Sequence, residues 1–314
     1  GDGKHDDTLA LQSALSARNV FLPAGEYRTT DELVVANRST LIGVGNSWSP
    51  TSTTDSWIRY DGSESRRVAV LRVAGARVGL DPESAVSSVH VEKVTLDGGG
   101  RAGYGLYSVY CTNDSSFTDV TAVGCTDHGV FISQQWYTSY RNLVARGNAG
   151  CGIAIGRLFE GWDDRGVNGV LFDNIRAAGN GTDRRFRERE FVRWGYGVLF
   201  RPGAGTTMRQ VVAENNYGAG VVYDLGSRCS NRIEGGYLEG NGVSAVEDGA
   251  SRPWGLIVIG HPNARANRVA SVYLHGEIGR QDAQSVWLTG SPPAGELVLE
   301  DLSYGQFLHA DWPD

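Results

Sequence analysis

One segment recurs along the chain and leaves few folds open to it. VEKVTLDGG from Val91, FTDVTAVGC from Phe117, YRNLVARGN from Tyr140, FDNIRAAGN from Phe172, MRQVVAENN from Met208, IEGGYLEGN from Ile233 and VASVYLHGE from Val269 superpose. ELVLEDL from Glu296 is a weaker last member. The shortest spacing is about 23 residues, within the solenoid range, and longer spacings are read as insertions after the turn.

Each unit alternates with period two. The fourth column reads Val94, Val120, Leu143, Ile175, Val211, Gly236, Val272, and the sixth reads Leu96, Ala122, Ala145, Ala177, Ala213, Leu238, Leu274. Both are mostly apolar and point inward, so the fifth and seventh columns point outward. Asn148, Asn180, Asn216 and Asn241 follow at the turn. Stacked asparagines there tolerate left-handed backbone and bond to one another along the axis, which makes them a structural ladder. A second strand comes next in most units: GVFIS from Gly129, GIAIG from Gly152, GVLFR from Gly197, GVVYD from Gly220 and GLIVIG from Gly255. Short strands with tight turns, stacked unit on unit, predict an all-β chain wound as a parallel β-helix. No helix alternates with the strands, which disfavours a doubly wound sheet or a βα barrel.

Composition narrows the partners. Glycine is abundant at 43 residues and proline sparse at 9, which suits a chain that turns often. Net charge is −7 with Arg and acid interspersed, so nucleic acid is not an expected partner. No run reaches the roughly 18 apolar residues of a membrane helix, and none inserts. No signal peptide is visible, and the abrupt start at Gly1 leaves localisation unread. Cys111, Cys125, Cys151 and Cys229 form no CxxC pair, so no structural zinc is expected; their spacings give no disulfide, and they read as buried free thiols.

The start, GDGKHDDTLALQSAL, then VFLPAGEYRT and STLIGVG, resembles the entry segment of pectate-lyase-like superfamily proteins. That group includes phage tailspikes, polysaccharide depolymerases and some glycanases. The resemblance covers about the first 45 residues, and the repeats extend it along the chain. It implies a single-stranded right-handed parallel β-helix with a short N-terminal capping helix, and one domain over residues 1–314. Residues 1–45 hold the cap and entry strands; residues 88–310 hold regular coils with insertions at about 156–166, 181–194 and 242–253. Asp6, Asp7 and Thr8 read as a helix start, and the helix Thr8–Ala17 would cover the open end of the solenoid. The resemblance also implies a polysaccharide substrate, a homotrimer, and an extracellular or virion-tail location. Lyases, hydrolases and inactive adhesins share the fold.

The outward columns hold the candidate chemistry. The seventh reads Asp97, Val123, Arg146, Ala178, Glu214, Glu239, His275. Glu214 and Glu239 fall on successive coils, about 4.8 Å apart. Like charges side by side cost energy, and a chain gains from the arrangement when one carboxyl acts as acid and the other as base or nucleophile. Separations of about 5–5.5 Å belong to retaining glycosidases and about 6.5–9.5 Å to inverting ones. The competing reading is two solvated glutamates relieved by an arginine on a neighbouring coil. The fifth column adds Arg176, Val212, Tyr237 and Tyr273 on the same face. Rings over sugar faces, with Arg146, Arg176 and His275 on hydroxyls, make a candidate glycan-binding surface.

The insertion after Ile155, RLFEGWDDRG, supplies a second candidate, with Trp162 to stack a sugar and Asp163 or Asp164 as acid. The leading expectation is therefore a glycoside hydrolase without cofactor. A lyase or uronate epimerase is the alternative, with Ca²⁺ or Arg146, Arg176 or Arg201 neutralising a uronate; a non-catalytic glycan-binding spike is another. The second strands also present Phe131, Ala154, Leu199, Val222 and Ile257 outward, an apolar stripe that needs covering. Packing in a trimer would cover it; so would an inserted loop.

Overall fold

The computed structural model describes residues 1–47, 54–75, 85–156, 166–183, 195–225, 230–242, 254–260, 264–275, 285–290, 297–300, 302 and 308–311. Among the described residues two parallel sheets, of 14 and 11 strands, run along the chain, and successive turns of chain add strands to each in order. The winding is a right-handed parallel β-helix, the hand that twisted strands impose on parallel crossovers. The repeats form the first sheet and the GVFIS-type segments form the second.

The register confirms the columns. Leu96, Ala122, Ala145, Ala177, Ala213, Leu238 and Leu274 pair in succession and are all buried. Strict alternation fails at one place in each of the seven units from Val91 to Val269. Lys93, Asp119, Asn142, Asn174, Gln210 and Ser271 take φ between 50° and 55°, and Gly235 takes 72°. This left-handed residue bends each strand, so the first column (Val91, Phe117, Tyr140, Phe172) faces inward along with the fourth. The bend lets aromatic rings stack along the axis: Phe117 on Tyr140 at 4.7 Å and Tyr140 on Phe172 at 5.1 Å. Such pairs add about 0.5–1.5 kcal/mol each beyond burial. The Tyr140 hydroxyl stays satisfied by donating within reach of Ser108 Oγ (2.9 Å) and Gln135 Oε1 (3.1 Å).

The asparagine ladder forms. Each side-chain amide donates to the next carbonyl oxygen, from Asn148 to Asn180 (2.9 Å), Asn180 to Asn216 (2.9 Å) and Asn216 to Asn241 (2.8 Å). The left-handed backbone falls on the preceding residue instead: Gly147, Gly179, Asn215 and Gly240. The asparagines serve as buried spacers that satisfy turn amides, not as the turn residues themselves.

The cap is the helix Thr8–Ser16, whose Leu11 and Leu15 enter the main core while Leu9 stays exposed. Asp7 sits at its N-cap without a side-chain cap bond; the Asp6 carboxylate just before it accepts from the Thr8 N–H at 3.0 Å and from the Thr30 hydroxyl at 2.6 Å. Those bonds, the Thr30 hydroxyl first, hold the Asp6 carboxyl down at about 2. Cys111, Cys125 and Cys151 are buried free thiols, as expected; Cys229 lies outside the described residues.

The apolar stripe requires a correction. Phe131, Ala154, Leu199, Val222 and Ile257 are only 0–5% exposed within the single chain. They form a second apolar cluster with Tyr104, Cys151, Tyr196 and Ala219, and the Tyr107 ring stacks on Phe131 at 5.0 Å. The stripe is thus already covered within the single chain and offers no free face to a partner. Among the described residues no helix is long and apolar enough to cross a membrane.

Candidate functional site

The fifth and seventh columns bring the predicted residues onto one face of the first sheet. Glu214 pairs in register with Glu239, and Glu239 with His275. Beside them Arg176, Val212, Tyr237 and Tyr273 run in register. The even strand spacing of a parallel pair puts the two glutamates one rung, about 4.8 Å, apart at the backbone.

Each carboxylate has its own partner. Arg176, two columns over and one rung earlier, donates from Nη2 to Glu214 Oε2 at 2.8 Å. The Tyr237 hydroxyl donates to Glu239 Oε2 at 2.8 Å, and His275 Nε2 lies 3.5 Å from Glu239 Oε1. The Arg176–Glu214 side chains are 40% and 22% exposed, so as a stabilising contact the pair is worth at most about 1 kcal/mol. Its larger effect is positional: it separates the two carboxylates into different environments. Desolvation, and then the bond to Glu239, push the Tyr237 phenol up to about 12. Tyr237 thus remains a donor to Glu239 across the working pH range. Its ring stacks on Tyr273 at 5.7 Å with 17° between planes, and the His275 ring lies 5.7 Å from it. Tyr273 is 42% exposed, an accessible aromatic step beside the carboxylates.

Other expected residues stand apart. Arg146 occupies the seventh column two rungs before Glu214. Arg201 follows a strand of the second sheet and pairs with Asp224 at 3.0 Å, which removes it from this face. Asp97, four rungs before Glu214 and never expected to pair with it, accepts from the Gly99 N–H and lies 4.0 Å from Arg59. Trp162, Asp163 and Asp164 lie outside the described residues, as do most of the insertions around them. Among the described residues no group of three or more His, Cys, Asp or Glu side chains could hold a metal ion.

Sequence reasoning missed the other end of this face. Asn46 and Ser47 fold onto it and, with Asp119, Asn142, Val144 and Arg176, line an open pocket of about 330 Å³. Arg176 belongs to both the pocket and the carboxylate pair. The only hint was the repeated threonine, Thr95 and Thr121, in an outward column; hydroxyls there take a partner from elsewhere in the chain.

No protein-family model and no curated protein sequence matches the chain. Solved structures do. ORF18 of Geobacillus virus E2 is 16% identical, with a TM-score of 0.58 over 99% of this chain and 59% of its own length. The Dettilon tailspike protein is 11% identical, with a TM-score of 0.56 over 96% of this chain and 57% of its own. The A-module of the mannuronan C-5 epimerase AlgE6 from Azotobacter vinelandii is 16% identical, with a TM-score of 0.51 over 100% of this chain and 97% of its own. The chain therefore spans under two thirds of the two phage-type proteins and nearly all of the epimerase module. At these identities the shared property is the right-handed β-helix of the pectate-lyase-like kind.

Proposed function

We propose that the chain is a carbohydrate-active enzyme that cleaves glycosidic bonds of a bacterial or extracellular polysaccharide on the outward face of the first sheet. One observation carries the reading: two carboxylates on adjacent rungs, in register, each with a different partner, beside a stacked tyrosine pair. Glycoside hydrolysis needs two carboxyls on either side of one bond, one to protonate the leaving oxygen and one to attack or to activate water. Glu214, ion-paired to Arg176, is one carboxyl of the pair. Glu239, bonded to Tyr237 and close to His275, is its partner carboxyl, and the two share the roles of acid and of base or nucleophile. Tyr237 and Tyr273 provide rings for sugar faces, and Arg176 provides donors for hydroxyls. An extracellular or virion-tail setting goes with this reading, as does a homotrimer, which must now use a surface other than the covered stripe.

The test is reducing-end release from a panel of bacterial capsular polysaccharides, O-chains and mannuronan. Wild type is expected to release fragments, and Glu214→Gln and Glu239→Gln to fall about 100-fold or more while staying folded. Full activity in both variants refutes the assignment and turns attention to Trp162, Asp163 and Asp164. The near-complete overlap with the epimerase module favours one second reading, lyase or epimerase chemistry on a uronate, with Arg176 facing the carboxylate. An ultraviolet-absorbing unsaturated product, or an altered uronate composition without new reducing ends, would select it. A non-catalytic spike would bind glycan and release nothing.

A further inference from the structure

Exposure along the fifth column changes at one step. Thr95 and Thr121 are 0% and 2% exposed although both side chains leave the outward face. The segment 43–47 lies across them. The Ser47 N–H donates to Thr95 Oγ1 at 3.0 Å, Thr95 Oγ1 donates to the Ser47 carbonyl at 2.9 Å, and Asn46 Nδ2 donates to Thr121 Oγ1 at 2.9 Å. One rung later the cover ends: Val144, Arg176, Val212 and Tyr237 are half-buried and Tyr273 is exposed. The open pocket lies against this step. It offers the Asp119 carboxylate, the Asn46 and Asn142 amides and the Arg176 guanidinium around the apolar Val144, a mixture that fits the hydroxyl rim and C–H face of a sugar ring.

We propose that the segment 43–47 is the end wall of the glycan groove and sets how many sugars are held on one side of the Glu214–Glu239 pair. This rests on the carbohydrate reading of that pair. Val144, Arg176 and Val212 are successive rungs in register, and Glu214 lies on the last of them. From the covered Thr121 rung to the Glu214 rung is about 14 Å at about 4.8 Å per rung. A glycan laid along the solenoid axis with one sugar per rung of about 4.8 Å would place about three sugars on the walled side. Cleavage at the pair then releases a short oligosaccharide of fixed length from a chain end seated against the wall.

The experiment sizes products over a time course, using the full chain and the same glycan panel. Wild type is expected to give, from the earliest points, one dominant product of about three sugars. Val144→Trp fills the walled pocket from a half-buried position and shortens that product. Thr95→Val combined with Thr121→Val removes the acceptors and donor of all three bonds, unties the wall and lets longer products appear. A broad ladder of lengths from wild type, with Glu214→Gln inactive, overturns the wall and leaves the carboxylate assignment standing. Full activity in both Glu214→Gln and Glu239→Gln, or no fragment from any glycan, overturns the underlying reading and the wall with it. If Val144→Trp melts early, Val144→Arg replaces it, and the wild-type product length decides by itself.

Discussion

Replacing Asn216 with alanine strikes the middle of the asparagine ladder. The side chain makes four bonds: it donates to Asn241 Oδ1 (2.8 Å) and to the Ala177 carbonyl (3.0 Å), and accepts from the Asn180 N–H (3.1 Å) and Asn180 Nδ2 (2.9 Å). Not all the partners are stranded by its loss. Asn180 Nδ2 keeps the Ala145 carbonyl, and Asn241 Oδ1 keeps the Asn216 N–H. The Asn180 N–H loses its described acceptor and the Ala177 carbonyl loses a donor. At about 1–3 kcal/mol for each buried group left short, the expected loss is about 4 kcal/mol. A chain of this length moves about 2 °C in Tm per kcal/mol, so the melt should fall by about 8 °C. The control is the neighbouring Asn215→Ala, at an exposed turn position with φ of 52°. There only the left-handed strain of a few tenths to about 1 kcal/mol is at stake. Circular dichroism melts of the three proteins decide the matter. Equal losses at the two positions, or a drop under about 2 °C at Asn216, would refute the view that the ladder satisfies otherwise orphaned turn groups.

Val222→Asp tests the covered stripe: an unpaired charge placed in the second apolar cluster should cost about 3–5 kcal/mol by urea denaturation, whatever the oligomeric state. Unchanged stability with a loss of association would restore the stripe as a subunit interface. Burial pushes the Cys111 thiol up to about 11 and the Cys151 thiol up to about 12, and Cys125 is raised as well, so mass spectrometry after iodoacetamide treatment of native protein at pH 8 should find these three unmodified. The depressed Asp6 carboxyl contributes stability that is present above the usual carboxylate range and is lost as pH falls through about 2. Asp6→Asn should therefore flatten the acid side of the stability profile between about pH 4 and pH 2; an unchanged slope would contradict the cap assignment.

The columns were legible because burial on one side of a strand imposes period two on residue type. Leu96, Ala122, Ala145 and Ala177 could be read inward, and Glu214 and Glu239 outward, from spacing alone. The bend was visible but misread. Val91 and Val94, Phe117 and Val120, and Tyr140 and Leu143 are apolar pairs three apart, which a straight strand cannot turn to the same side. The short polar residue before the second member, as in Asp119 and Asn142, marked the left-handed position. The cover over Thr95 and Thr121 was not legible, because it depends on Asn46 and Ser47 arriving from far along the chain. The stripe misled for a related reason: Phe131 and Val222 do point away from the main core, but pattern shows direction, and only the fold shows what lies there.

The left-handed corner also bears on the order in which the chain folds. Lys93, Asp119, Asn142, Asn174, Gln210 and Ser271 each hold a conformation that costs an ordinary residue about 1–2 kcal/mol. Nothing within a single turn of chain repays that; the compensation comes from the turn stacked beside it, through the ladder, the ring stack and the sheet pairing. A detached unit would relax its corner and lose its shape. Growth is then templated: wherever the first turns form, each later turn accepts its strain against a finished neighbour.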